Sequence, residues 1–575
     1  MNPLLQKIPL LAELFLNGIF ILLYSLRSTN KIPPFFSSKF MSTALHFGVW
    51  YVPIILFLSI VVNFISAKGL EGFLRKHVFS LIVFVPLLIT FGDMEFTFWL
   101  GSVHLLSSVL TLYDGEQQEK QESFSGNQRT FLQKLELRPA QVVLLSFMGL
   151  ISLGTFLLML PVSAAEGFQV TFIDALFMST SATCVTGLAT ISVAKNLSIF
   201  GQMVILLLLQ IGGLGIMTLS SSMTILLGRA MGMKDRIIMQ DLLDVSSLED
   251  LYDMIIDIIK YTFFIELWGG ILLTIGFTFE GYEMGTAIYY GFFHSISAFC
   301  NAGLSLFDTS LESFATSPII HGTIAFLIVL GGVGFIVLRE LREIIYGKKI
   351  SRLGVHAKIV LVTTFLLIVA GAVFIFFGEF LNSLDSYTLW EKTQIAIFQS
   401  ITTRTAGFNT ISLTSLHSYT IYGLTLFMFI GGSPGSTAGG IKTSTFAILI
   451  QSIKSTLKGK KEVTVFDRTI PAPIVVRAIV ITFISIITSS LFLLVLMKLE
   501  PDQSFLTLFF ETISAFGTVG LSLGVTPFLT VGGKVILAIL MFIGRVGPLT
   551  LVLGIGEKAS KSGKLDYPDG RVMIG

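Results

Sequence analysis

Four short stretches share a chemistry that none shows alone: Cys184, Val185, Thr186 and Gly187; Cys300, Asn301, Ala302 and Gly303; Arg404, Thr405, Ala406 and Gly407; and Gly517, Thr518, Val519 and Gly520. Each is a loop of mostly small or hydroxyl-bearing residues closed by glycine, and the copies lie about 110 residues apart. Glycine reaches φ > 0 without a Cβ clash and admits a close backbone approach. The residues before it can then turn their carbonyl oxygens toward one side. Rings of backbone carbonyls are what a dehydrated monovalent cation needs, several oxygen ligands without fixed buried anions. One such loop is an ordinary glycine turn. Four in matching context are expected to form a selectivity filter. Thr183, Thr186, Thr405 and Thr518 are short enough to pack behind the loops and hydrogen-bond them. At Arg404 only the carbonyl is required, so its side chain is expected to point away and pair with an acidic neighbour.

The elements that must position these loops are apolar. Of 575 residues, 53% are hydrophobic and 13% charged, against about 25% charged in soluble domains, and mean hydropathy is +0.83. The charges fall in short blocks between apolar runs of roughly 18 to 25 residues, the length that crosses a bilayer core. The chain reads as a polytopic membrane protein, with no polar stretch long enough to fold alone. Two cysteines exclude a disulfide framework. The first apolar stretch, 9–26, lacks a cleavage pattern behind it and reads as retained.

An internal repeat surrounds the loops. Phe-x-Ser/Thr-x-Ser/Thr recurs at Phe177, Phe293, Phe398 and Phe510, and the loop glycine follows ten residues later in three copies and nine in the third. Apolar spans precede each copy, at 143–161, 260–278, 358–379 and 474–498, and follow it, at 203–227, 321–338, 420–441 and 534–553. The helix before the first loop, from Thr171, has about twelve residues, roughly 18 Å, too short to cross. A half-helix followed by a non-helical loop is re-entrant, and such backbone is tolerated at membrane depth only beside protein or water-filled space. The expected fold is therefore all-α and polytopic, four span–re-entrant helix–loop–span repeats around a pseudo-fourfold pore, preceded by about three to four N-terminal spans. The expected divisions are 1–136 for the extension and connector, then repeats at 137–250, 251–350, 351–465 and 466–575. Spans in the extension are expected near 9–26, 44–66, 78–92 and 96–113. The half-helices aim the partially negative ends of their dipoles at the loops.

Charge sets the orientation. The connections 339–358 and 454–477 hold Arg339, Arg342, Lys348, Lys349, Arg352 and Lys358, then Lys454, Lys458, Lys460, Lys461, Arg468 and Arg477. By the positive-inside rule they are cytoplasmic, so the loops enter from outside. Glu166, Glu280, Glu283, Glu379 and Asp385 fall in the opposite connections and are expected to ring the outer mouth.

The second span of the third repeat is interrupted by Gly431, Gly432, Ser433, Pro434, Gly435, Ser436, Thr437, Ala438, Gly439 and Gly440. Glycines and a proline at that density break a helix, and a break just below the filter is the place for a gate. Milder breaks at 212, 331 and 544 fit small-residue packing. Arg545, midway along an apolar span, is expected to sit beneath the filter and oppose cation passage until the gate moves. Lys442 either gates or snorkels. Cys184 and Cys300 read as small-residue packing, since two thiols from different repeats make a poor metal site. Glu511 and His294 hold equivalent half-helix positions and read as helix-surface packing, with a proton relay as the alternative. Glu266 is an intramembrane carboxylate without an assignment.

The segments "TSATCVTGL", "SAFCNAGLSLF", "TTRTAGFNT" and "SAFGTVGLSLGVTP" resemble the four filter loops of the Trk/Ktr/HKT superfamily of potassium transporters, over residues 137 to 575. The core and the ending "DYPDGRVMIG" are most similar to the Ktr membrane subunit, from which the N-terminal extension departs. The resemblance implies a gated, potassium-selective pore that brings K⁺ into the cell, and a multi-pass protein of the cell membrane. It also implies a homodimer with one pore per protomer, cytoplasmic nucleotide-binding subunits of the RCK type, and an intramembrane loop that closes the pore. Serine at the first filter position accompanies sodium transport in that superfamily, so four glycines imply potassium. Potassium is the expected substrate and sodium a candidate activator, with no organic cofactor and no nucleic-acid partner. A less selective Na⁺/K⁺ transporter is the alternative. A membrane-embedded enzyme is the third reading, but no P-loop, HExxH or nucleophile elbow is present.

Overall fold

A computed structural model describes residues 139–215, 248–345, 353–460 and 462–547, with isolated positions before them. The expected N-terminal spans and connector, the ends of the spans at 203–227 and 534–553, Lys348, Lys349, Arg352, Lys461 and the ending "DYPDGRVMIG" lie outside the described residues, isolated positions of the first spans apart. The described chain is helical apart from one hairpin. It runs α1 (Pro139–Met159), α2 (Phe172–Thr183), α3 (Ile199–Leu214); α4 (Leu248–Phe279), α5 (Met284–Phe299), α6 (Pro318–Val333), α7 (Phe335–Ile345); α8 (Val355–Glu379), α9 (Leu389–Thr402), α10 (Ser418–Met428), α11 (Thr443–Leu457); α12 (Ala472–Leu499), α13 (Phe505–Gly517) and α14 (Val531–Val546). Ile255–Phe279, Val355–Glu379 and Ala472–Leu499 are long and apolar enough to cross a bilayer. Their outward faces carry Phe263, Phe264, Trp268, Phe365, Leu366, Phe377 and Phe483, all exposed, which suits a surface solvated by lipid.

The short helices begin on side-chain caps. Thr171 accepts from the Asp174 amide, Thr388 forms a capping box with Glu391, and Ser504 accepts from the Thr507 amide. The recurring Phe-x-Ser/Thr motif docks each short helix. Phe177, Phe293, Phe398 and Phe510 are at most 1% exposed. Two residues on, Ser179, Ser295 and Ser400 donate to the carbonyls of Ile151 (2.8 Å), Glu266 (2.7 Å) and Ile368 (2.7 Å) in α1, α4 and α8. One helical turn beyond each acceptor stands Gly154, Gly269 or Gly371, and a Cβ there would meet the serine hydroxyl. In the fourth copy Thr512 bonds back into its own helix, to Leu508 (2.7 Å).

Neighbouring units join in a cycle: α3 packs on α5, α6 on α9, α10 on α13, and α14 back on α2. Lys534 and Asp174, 2.9 Å apart and largely covered, tie the last helix to the first short one. The apolar run 321–338 is not one straight span. It divides at Gly334, where α6 and α7 meet with a bend of 105°. The same glycine ends α3 at Gly215 and α14 at Gly547, with φ of +83° and +89° against +95° at Gly334. The connection after α11 contains an unforeseen antiparallel hairpin, β1 (Val463–Val465) with β2 (Arg468–Ile470). Phe466 and Asp467 at its tip both have positive φ, the turn that matches strand twist; the 465/466 division falls at that tip.

Candidate functional site

The four loops adopt one backbone conformation. Val185, Asn301, Thr405 and Thr518 have φ between +49° and +68°, and two residues later Gly187, Gly303, Gly407 and Gly520 have φ between +67° and +99°. A Cβ on each glycine would strike a carbonyl oxygen of the next loop. From Gly187 it would meet Ala302; from Gly303, Ala406 at 2.6 Å; from Gly407, Val519 at 2.5 Å; and from Gly520, Thr186. The sequence of contacts runs from the first loop through the fourth and back to the first. Four backbones therefore meet in a closed ring that any side chain at these glycines would force apart.

The expected threonine supports are not used. The hydroxyls of Thr183, Thr186, Thr405 and Thr518 are buried without a hydrogen-bond partner among the described residues. In three of the copies the second hydroxyl of the repeated motif does that work, while Thr402 in the third has no partner among the described residues. Ser181 accepts from the Gly187 amide (3.1 Å), Ser514 accepts from Gly520 (3.1 Å) and donates to Leu521 (2.6 Å), and Ser297 donates to Leu304 (2.7 Å). A serine hydroxyl there can reach an amide and a carbonyl of the turning loop, as Ser514 does. The nine-residue offset of the third copy has a simple cause. The Ala406 amide bonds Thr402 four residues back, while Thr186, Ala302 and Val519 bond five residues back.

Glu511 and His294 brace the segments beyond the glycines. Glu511 accepts from Ser522 (2.6 Å), Thr526 (2.8 Å) and the Leu523 amide (3.0 Å). His294 meets Ser305 (3.0 Å) and the Leu306 amide (3.4 Å) at the same register. These bonds give the two side chains a bracing part beyond the helix-surface packing expected for them.

Beyond the ring lies a cavity of about 510 Å³ whose lining includes Gly187, Gly303, Gly407 and Gly520 together with Asp308 and Glu312. The acids expected at the mouth do not line it. Glu166, Glu280, Glu283 and Asp385 are exposed elsewhere, and Glu379 is buried as acceptor for Asn382, Ser383 and the His417 amide. They precede the short helices, whereas the cavity wall is built by the segments that follow the glycines. Asp308 accepts from Ser192 and pairs with Lys195, and that ammonium holds its carboxyl below the usual range. Burial raises Glu312, which accepts from Asn409 at 2.7 Å.

On the other side of the ring, the chain from Phe429 to Lys442 leaves α10, crosses to neighbouring repeats and returns. Gly431 bonds Ile441 (2.8 Å), Ser433 bonds Gly332 (2.9 Å), Thr437 bonds Gly331 (3.2 Å), and Phe335 bonds Gly435 (3.0 Å), all through the backbone. The Thr437 hydroxyl reaches the Phe299 carbonyl at the end of α5 (3.2 Å). A Cβ on Gly439 would meet Thr518, and Thr405 lies 3.2 Å from one on Gly431. The interruption is therefore placed directly against two of the four loops. The milder breaks are close packing: Gly212, Gly331 and Gly544 leave no room for a Cβ beside the carbonyls of Thr183, Phe299 and Phe516.

Arg545 is half-buried and donates to the carbonyls of Thr437, Gly212 and Gly213 (3.3 Å to the last). It joins the loop of the third repeat to the break of the first. Lys442 turns its ammonium back onto the Ala438 carbonyl (2.7 Å), within the same loop, rather than outward. Arg404 points away from the ring, yet its partners are the carbonyls of Gly431 (3.3 Å) and Thr364 (3.5 Å), not an acid. No described carboxylate bonds it, because apolar helix faces surround it. Glu266 accepts from Gln210 (3.2 Å) and has one oxygen without a partner. Cys184 and Cys300 are buried free thiols, and no metal-ligand group occurs among the described residues.

Asp308 and Glu312 at the cavity, Lys195 beside Asp308, and Ser181, Ser297 and Ser514 at the loops were not singled out in the sequence. A hydroxyl at the same place in every motif was the available signal for the serines. The acids and the lysine occur once each and carried none.

A family model of cation transport proteins, TrkH, matches residues 126–562. The chain is 37% identical over 441 residues to the Ktr system potassium uptake protein B of Bacillus subtilis, covering 76% of this chain and 97% of that one. It is 37% identical over 445 residues to the protein of that name in Vibrio alginolyticus, covering 76% and 94%. The potassium/sodium uptake protein NtpJ of Enterococcus hirae is 36% identical over 447 residues, covering 76% and 98%. Among solved structures, the potassium transporter TrkH from Vibrio parahaemolyticus superposes with a TM-score of 0.60 over 88% of this chain and 98% of that one, at 19% identity. That likeness speaks for the fold.

Proposed function

Since the chain belongs to the TrkH family of cation transport proteins, we propose that it takes up potassium as the ion-translocating membrane subunit of a Trk/Ktr-type system, with the four glycine loops as its selectivity filter. The observation that carries this reading is the closed ring of glycines, each seated against the next loop's carbonyl. Such a ring lets carbonyl oxygens replace the hydration shell of an ion. Cations gather in the outer cavity, where Asp308 and Glu312 supply negative potential. They then lose water at the ring and meet the loop from Gly431 to Gly440 beneath it. In this reading that loop is the closed gate, and Arg545 latches it through Thr437 while placing positive charge on the ion's path. Opening withdraws both together. Arg404 and Lys442 hold the loop's two ends through carbonyls.

The same reading takes the short helices as re-entrant and the four units, at 137–250, 251–350, 351–465 and 466–575, as repeats about a pseudo-fourfold pore. The extension 1–136 adds about three to four spans. It also includes a homodimer with one pore per protomer, an RCK-type nucleotide-binding ring on the basic cytoplasmic connections, and sodium as activator. A less selective Na⁺/K⁺ transporter is favoured by one observation, the name borne by the Enterococcus hirae relative. Rubidium-tracer uptake into cells that depend on this chain for potassium separates the two. Competition by K⁺ far above that by Na⁺ supports potassium uptake. Equal competition moves the assignment to the less selective carrier, and no uptake with the regulatory ring present overturns both.

A further inference from the structure

We propose that Lys195 is a tethered cation of the outer cavity, competing with incoming ions for Asp308 and thereby setting the apparent affinity for potassium; the inference rests on the uptake reading above. Lys195 belongs to the first repeat's segment beyond its glycine and Asp308 to the second's. The ammonium nitrogen stands 2.5 Å from an Asp308 oxygen. Asp308 lines the cavity that has the four glycines in its wall, so the bridge lies in the approach to the filter.

The surrounding bonds position this pair without locking it. Ser192 donates to the other Asp308 oxygen (2.5 Å) and also accepts from the Lys195 amide (3.1 Å), which fixes the turn from which the lysine springs. The lysine side chain itself is 74% exposed. Its counterpart Lys534, in the other pair that joins two repeats, is 14% exposed and serves closure of the ring. An exposed pair contributes little to stability, so structural need does not account for Lys195. The second carboxylate of the cavity, Glu312, is held by the neutral amide of Asn409. The cavity thus presents two acids, one of them covered by an exposed primary ammonium that reaches it from outside the lining. A primary ammonium has the same charge as a potassium ion, and its N–H groups occupy the carboxylate oxygens that the ion would otherwise approach. An arriving cation must displace it or act with one acid fewer.

The test is rubidium uptake by the full-length chain against external concentration, at low and high ionic strength, for wild type, K195Q, K195R, D308N and the K195Q/D308N pair. Removing one unit charge from a solvated cavity is expected to lower KM roughly threefold at low ionic strength, and the difference should fade as salt screens it. K195R should restore the wild-type KM. D308N should raise KM, and K195Q should lower KM less in the D308N background than in wild type, because part of the lysine's effect passes through that carboxylate. Unchanged or raised KM in K195Q, with uptake otherwise working, overturns the tether alone. An equal effect of K195Q with and without Asp308 also overturns it. A wild type that takes up no rubidium removes the uptake reading and the tether with it.

Discussion

Substituting Gly407 by serine tests the ring at a position where its geometry gives a magnitude. The φ of Gly407 is +79°, and holding a residue with a Cβ in that region costs roughly 1–2 kcal/mol. The new Cβ would also lie 2.5 Å from the Val519 carbonyl oxygen, with Gly303 Cα at 3.1 Å and Gly520 Cα at 3.2 Å. Ordinary contact requires that oxygen to retreat by about 0.9 Å. That shift exceeds the difference in radius between sodium and potassium ions, and it falls on the loop backbone that lines the ring. A loss of about 1.4 kcal/mol in discrimination is a tenfold change, so G407S is expected to reduce the preference for K⁺ over Na⁺ at least about tenfold. Gly167 supplies the control. Its φ is also +79°, but nothing lies within 4 Å of its Cβ position, so G167A imposes the strain without the collision. The assay is rubidium uptake with K⁺ or Na⁺ as competitor for wild type, G407S and G167A. Selectivity should collapse in G407S alone. A G407S protein that transports with wild-type preference would refute the assignment of this ring as the filter, and an equal loss in G167A would refute the steric argument.

Two further expectations come from the supports of the ring. R545Q removes the guanidinium that bridges Thr437 to Gly212 and Gly213, so uptake should accelerate several-fold while ion preference holds; an unchanged rate would deny Arg545 a part in the gate. S514A orphans the Gly520 amide and the Leu521 carbonyl, at a cost of about 1–3 kcal/mol, and should lower both thermal stability and selectivity, whereas T405V removes a hydroxyl that bonds nothing and should melt with the wild type.

The ring of glycine loops was legible because its physical requirement repeats. Every copy places a glycine where a neighbouring carbonyl leaves no room and buries a phenylalanine of its short helix, and three anchor that helix through a serine hydroxyl. Similar constraints write four similar phrases. The cavity acids were not legible, because Asp308 and Glu312 matter only through the path of the chain after Gly303. That path differs among the four copies, so no phrase recurs to mark it. The same limit applied to Arg404. Its charge called for an acid in the sequence, but at its burial site the only acceptors offered by packed helices are backbone carbonyls. The threonines misled for a related reason: hydroxyls near a turn suggest bonds to it, yet Ser181, Ser297 and Ser514 already occupy those positions. The divided helix at Gly334 was hidden by continuous apolarity on both sides of the break.

The contrast between the ring and the loop beneath it follows from what each must do. A filter discriminates by surrounding an ion, so all four loops must hold equivalent dihedrals, and they do so within about 20° at the first position of positive φ. Obstruction needs one element only. Three of the helices below the ring stop at one glycine of positive φ, Gly215, Gly334 or Gly547. Among the described residues, only in the third repeat does the chain reach across before resuming, as α11, and it takes partners from all the others: Gly331 and Gly332 in the second, Arg545 and Thr518 in the fourth, and through Arg545 the first repeat's Gly212. A single segment fastened to every quarter of the ring moves only when those contacts release together. On the gate reading proposed above, obstruction is then all-or-none.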